Sequence, residues 1–93
     1  MNPPVVLITG GSRGIGAATA LLAANRGFTV AINYVQQAQA AQALVQRIES
    51  GGGRAMAVRA DVGDEAQVLR MFAEVDAKFG RISALVNNAG IVD

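Results

Sequence analysis

The sequence predicts an α/β fold built on a doubly wound parallel sheet, with elements in the order β-α-β-α-β-α-β. Three observations carry this. Four short apolar runs rich in β-branched residues recur along the chain, segments with helical period separate them, and the connections are short. Strands that alternate with helices pair in parallel, with helices on both faces of the sheet. Right-handed crossovers then set the spatial strand order 3-2-1-4.

The first strand is "VVLIT", Val5 to Thr9, a run suited to burial on both faces. Pro3 and Pro4 precede it, where a missing N–H costs little. A helix follows from Ile15 to Arg26, with Ile15, Ala18 and Leu22 expected on its buried face and Gly27 as its stop. The second strand is "FTVAINY", Phe28 to Tyr34. The second helix is "QQAQAAQALVQRIES", with Ala41, Leu44, Val45 and Ile48 at the i, i+3, i+4, i+7 positions of one face. After the "GGGR" loop, "AMAVRADV" reads as the third strand. Asp64 and Gln67 resemble a capping box. They open a third helix whose buried side is Val68, Met71, Phe72, Val75 and Phe79. "ISALVNNAG", Ile82 to Gly90, is a fourth strand running into a turn.

Composition narrows the function. The chain has 93 residues, 52% of them hydrophobic and 16% charged, which is globular rather than disordered. A chain of this length buries only roughly 60–65% of its unfolded surface, so thin stability is expected. A net charge of +1 gives no reason to expect nucleic acid or an anionic membrane as partner. Cysteine and histidine are absent, which removes disulfides, thiolate catalysis and the common metal-ligand clusters; no metal site is expected. The start "MNPPVVLITG" has no basic region and its apolar run is too short to span a membrane, so a cytosolic location is expected.

The stretch "TGGSRGIG" lies between the first strand and the first helix. A helix N-terminus presents unpaired N–H groups and partial positive charge, and so favours phosphate. Gly10 suits a turn with φ > 0, Gly14 allows close approach of a pyrophosphate, and Gly16 allows close packing of helix on strand. A plain tight turn is the competing reading of the glycines alone. Strand, loop, helix and second strand arriving in order favour the phosphate cradle.

The spacing Thr9-Gly10-x-x-x-Gly14-x-Gly16 resembles the cofactor signature of the classical short-chain dehydrogenase/reductase family. The extended relatives normally carry the second glycine one residue earlier, where this chain has Arg13. "ADV", Ala60 to Val62, resembles the family's adenine-contacting segment, and "NNAG", Asn87 to Gly90, its other hallmark. In isolation, Asp61 could simply end a strand, and Asn87 and Asn88 could be turn residues. The resemblance covers essentially the whole chain and implies a Rossmann-type fold. It implies cofactor binding by Thr9, Gly10, Ser12, Arg13, Gly14, Ile15 and Gly16 of the loop and by Asn33 and Tyr34 at the end of the second strand. It implies the same for Asp61, Val62, Asn88, Ala89 and Gly90. Asp61 would accept from the adenine amine, Val62 would cover the ring, and Asn88, Ala89 and Gly90 would lie beside the adenosine ribose. The asparagines would also stabilise the central sheet.

In NAD-binding sheets an acid at the end of the second strand takes the ribose 2′-hydroxyl. Here Asn33 and Tyr34 stand in that region, and no acid follows before Glu49. A 2′-phosphate therefore meets no carboxylate repulsion. Arg13 could pair with that phosphate, or be a solvated loop arginine. The expected cofactor is NADP (NADPH), with NAD second.

By the same resemblance, catalysis needs an asparagine, a serine and a Tyr-x-x-x-Lys pair that lie beyond the fourth strand. The one tyrosine, Tyr34, is followed at that spacing by Ala38, and the one lysine, Lys78, sits on the third helix. No catalytic residue is assigned. Residues 1–93 are expected to be the N-terminal portion of a single NAD(P)-binding domain of roughly 250 residues. The expected activity is an NADP-dependent oxidoreductase acting on a carbonyl/alcohol pair, with the catalytic portion outside this chain and the chain alone inactive. The fourth strand would then be an apolar edge awaiting the remainder of the same fold, and the complete protein a homo-oligomer. A non-catalytic NADP(H)-binding module and an inert truncated fragment are the alternatives.

Overall fold

The computed structural model describes residues 3–12 and 14–88. Its elements run β1 (Val5–Thr9), α1 (Gly14–Asn25), β2 (Thr29–Tyr34), α2 (Ala38–Ser50), β3 (Ala55–Arg59), α3 (Glu65–Phe79) and β4 (Ile82–Asn87). The four strands form one parallel sheet in the order β3-β2-β1-β4, as the alternating pattern predicts.

Burial on both faces explains the unbroken apolar runs of β1 and β2. Alternate side chains enter two separate cores. Val6, Ile8, Val30, Ile32 and Ala55 pack beneath α1 and α2, with Ala41, Leu44, Val45 and Ile48 closing over them. Val5, Leu7, Ala31, Met56 and Val58 pack on the opposite face against Met71 and Val75 of α3, with Val68, Phe72 and Phe79 at its margin. Leu7, Ile8, Ile32, Met71, Val30 and Val75 are the largest fully buried apolar side chains, each contributing about 1.5–3 kcal/mol over an exposed reference. The faces expected for α2 and α3 are therefore the observed ones.

The face expected for α1 is not. Ile15 and Leu22 are 52% and 54% exposed, and Ala18 is exposed with them. The buried residues are Gly16 and Ala20, with Ala17, Leu21, Ala23 and Ala24 partly covered. The physical reason is close packing, of Gly16 on the glycine turn and of Ala20 in the core over the sheet. The side chains of α1 are apolar all round, so period alone cannot choose a face. Close approach selects the side made of glycine and alanine and turns the bulky residues outward.

Element ends differ slightly from the sequence reading. β3 stops at Arg59 rather than continuing to Val62, because the chain turns at Asp61, whose carbonyl accepts from the Asp64 N–H at 3.0 Å. Among the described residues β4 pairs with β1 alone. Its residues alternate between half-buried and exposed, and Leu85 is 55% exposed.

Candidate functional site

A parallel sheet brings the carboxyl ends of all its strands to one edge. Here those ends are Thr9, Tyr34, Arg59 and Asn87. Between β1 and β4 the strand order reverses, and open α/β sheets bind ligands in the crevice at such a point.

The glycine turn leaves β1 and enters α1. Gly10 and Gly14 both have φ of 62°, a left-handed conformation that costs a side-chain-bearing residue about 1–2 kcal/mol. Gly14 thus has a backbone reason to be glycine beyond the close approach that the spacing suggests. Gly16 is buried, and a Cβ on it would lie 2.7 Å from the Gly11 Cα and closer still to the Gly10 carbonyl oxygen. The sequence reading expects Gly16 to face the strand; it faces the turn itself. The loop is folded back on the first turn of α1. That turn carries no acidic residue, and its first N–H groups have no intrahelical acceptors. Ser12 is half-buried beside it and Ile15 exposed. Arg13 lies outside the described residues.

Asn33 holds the turn from below. Its side chain is 1% exposed. Oδ1 accepts from the Gly10 N–H at 3.2 Å, and the main-chain oxygen of Asn33 accepts from the Gly11 N–H at 3.0 Å. Nδ2 donates to the Ala60 carbonyl at 3.0 Å and to the Val58 carbonyl at 3.4 Å. Sequence reasoning pairs Asn33 with Tyr34 as a ribose-end residue and misses this inward role. The available signal was a carboxamide inside an otherwise apolar strand, since a buried polar group requires partners. Tyr34 points to the other face, half-buried against the α1/α2 core.

Asp61 is exposed. One carboxylate oxygen accepts from the Gly63 N–H at 2.9 Å, and its own N–H donates to Gln67 Oε1 at 2.9 Å. Asp64 caps α3, accepting from the N–H groups of Ala66 and Gln67. The expected capping box is therefore present in altered form: Gln67 reaches back to Asp61 rather than to the Asp64 backbone. Val62 is 38% exposed. It borders an open depression of about 210 Å³ that Thr9, Val68, Met71, Phe72, Leu85 and Asn87 also line.

The end of β4 is tied to β1 by the Thr9 hydroxyl and by the Asn88 N–H, which also donates to the Thr9 carbonyl at 3.2 Å. Thr9 Oγ1 donates to Asn87 Oδ1 at 2.9 Å and accepts from the Asn88 N–H at 3.1 Å. Asn88 Nδ2 is buried and has no acceptor among the described residues. Such an amide is costly to leave unpaired. Ala89 and Gly90 lie outside the described residues. Among the described residues no group of three or more acidic side chains could hold a metal, and no helix is long and apolar enough to cross a membrane.

This geometry has counterparts in known proteins. A family model described as short chain dehydrogenase matches residues 4–93. The uncharacterized oxidoreductase YgfF of Escherichia coli (strain K12) is 52% identical over 88 residues, covering 95% of this chain and 36% of the relative. A 3-oxoacyl-(acyl-carrier-protein) reductase of Synechocystis is 49% identical over 91 residues, covering 98% and 37% respectively. Among solved structures, a dehydrogenase/reductase from Sinorhizobium meliloti 1021 superposes with a TM-score of 0.92 at 45% identity, covering 98% of this chain and 36% of that one. The chain thus spans about a third of the length of these relatives. A Rossmann-like sheet in the order 3-2-1-4, a glycine turn seated on a helix N-terminus and a family match across residues 4–93 agree: the chain belongs to the short-chain dehydrogenase family.

Proposed function

We propose that this chain supplies the adenine-nucleotide half of an NADP-dependent oxidoreductase acting on a carbonyl/alcohol pair. The observation that carries the reading is the exposed start of α1 at Gly14 and Ile15, with the glycine turn packed so closely that no Cβ fits at Gly16. The Asn88 amide at the neighbouring strand end, without an acceptor among the described residues, fits the same ligand. A dinucleotide meets both needs, with phosphate oxygens for the helix amides and a ribose for the carboxamide.

In this reading the N–H groups of Gly14, Ile15 and Gly16 hold the pyrophosphate, with Ser12 and Thr9 beside it. Asp61 keeps its free carboxylate oxygen for the adenine amine, and Val62 and the depression beside it take the ring. Asn88, Ala89 and Gly90 flank the adenosine ribose. Arg13 pairs with the 2′-phosphate, which no carboxylate at Asn33 or Tyr34 opposes. When bound, the nicotinamide accepts or gives the hydride. The proton-handling groups lie outside residues 1–93, the N-terminal portion of a single NAD(P)-binding domain. This portion alone is inactive, and the remainder of the same fold covers the β4 edge. The complete protein is a cytosolic homo-oligomer.

Titration of the complete polypeptide with NADPH and NADH, followed by nucleotide fluorescence, tests the proposal. NADPH is expected to bind more tightly, and Arg13→Ala to remove most of that preference. Equal affinities refute the NADP assignment, an unchanged preference in the variant removes Arg13 from it, and no binding of either nucleotide refutes the site. Binding without carbonyl reduction across a ketone and aldehyde panel favours the non-catalytic module instead.

A further inference from the structure

Asn33 joins three segments that the proposed site uses. Its carboxamide oxygen takes the Gly10 N–H, its main-chain oxygen takes the Gly11 N–H, and its Nδ2 donates to the carbonyl of Ala60, next to Asp61. The first two amides of the glycine turn therefore point into the protein. They are spent on Asn33, which leaves the amides of the first turn of α1 for an anion. Gly16 packs on the same turn, leaving no room for a Cβ between it and the backbone of Gly10 and Gly11. At 1% exposure, and bonded to Gly10, Val58 and Ala60, the carboxamide is enclosed in the protein.

We infer that Asn33 is a positioning residue, which sets where the diphosphate sits by holding Gly10 and Gly11 against the end of β3, and makes no contact with the nucleotide. This rests on the dinucleotide reading of the site. It departs from the cofactor contact that the family resemblance implies for Asn33. The diphosphate is common to both cofactors, so a fault in its seat weakens both alike. A fault in a ribose contact weakens one more than the other.

Asn33→Leu tests this in the complete polypeptide, because leucine matches asparagine in size and offers no hydrogen bond. The dissociation constants of NADPH and NADH are measured at a temperature well below the melting point of the variant. Both are expected to rise about tenfold, the equivalent of one lost buried hydrogen bond, with their ratio unchanged. A changed ratio means a direct ribose contact and overturns the inference. Unchanged constants with a lowered melting temperature mean a purely structural role and overturn it too. Amide exchange on the wild-type protein is the second measurement, and it stands even where the variant fails to fold. The Gly10 N–H is expected to be as protected as the Gly11 N–H, and free exchange at Gly10 overturns the bracket. Wild-type protein that binds neither nucleotide refutes the site, whereas the exchange result still decides what Asn33 holds.

Discussion

Replacing Gly16 by alanine places a methyl group where only backbone surrounds it. Its Cβ would lie 2.7 Å from the Gly11 Cα and closer still to the Gly10 carbonyl oxygen. No side chain can rotate away, and carbon contacts are favourable only near 3.5–4.0 Å, so α1 and the turn must separate by roughly 1 Å. The turn resists, because Asn33 holds the N–H groups of both Gly10 and Gly11. Overpacking of this kind costs about 1–3 kcal/mol, and the better helix propensity of alanine offsets about 1 kcal/mol of it. The expected net loss of stability is therefore up to about 2 kcal/mol. The effect on nucleotide binding is larger, since a 1 Å misplacement of a positioned group costs on the order of 100-fold in the function it serves. Urea unfolding and NADPH fluorescence titration measure the two effects separately. A variant that binds NADPH with wild-type affinity and unfolds at the wild-type midpoint or above would refute the reasoning about this contact.

Two further substitutions probe other joints. Thr9→Val keeps the β-branched shape but loses the hydroxyl that donates to Asn87 and accepts from the Asn88 N–H. A loss of about 1–2 kcal/mol is expected in urea unfolding, and an unchanged midpoint counts against this tie between β1 and β4. On α1, Leu22→Gln is expected to change stability by less than about 0.5 kcal/mol, because Leu22 is 54% exposed. Ala20→Val, at a position with no exposure, is expected to cost about 1–3 kcal/mol. The reverse ranking would restore the face that spacing alone suggests.

Several parts of the fold are legible in the sequence. α2 alternates polar glutamines with Ala41, Leu44, Val45 and Ile48, so its period identifies its face, and those four residues are the buried ones. The buried side of α3 was readable for the same reason. α1 was not, because an apolar residue stands on every side of it. Which side packs then depends on tertiary contacts: Gly16 fits against the glycine turn and Ala20 into the core over the sheet. In the candidate site, the glycine spacing, "ADV" and "NNAG" mark the strand ends that the proposed site uses. The hydrogen bonds of Asn33 were hidden, since its partners are 23, 25 and 27 residues away.

The sequence by itself determined the strand order, the two-sided burial of β1 and β2, and the family signature carried by Thr9, Gly10, Gly14 and Gly16. Those features follow from local period, short connections and residue types at close spacing, all of which a linear chain displays. Tertiary structure alone decided the buried face of α1, the inward aim of the Asn33 carboxamide and the contact between Gly16 and the turn. Each depends on atoms brought together from different elements, at separations that no local pattern encodes. Close packing and the demand that buried polar groups be paired made those choices.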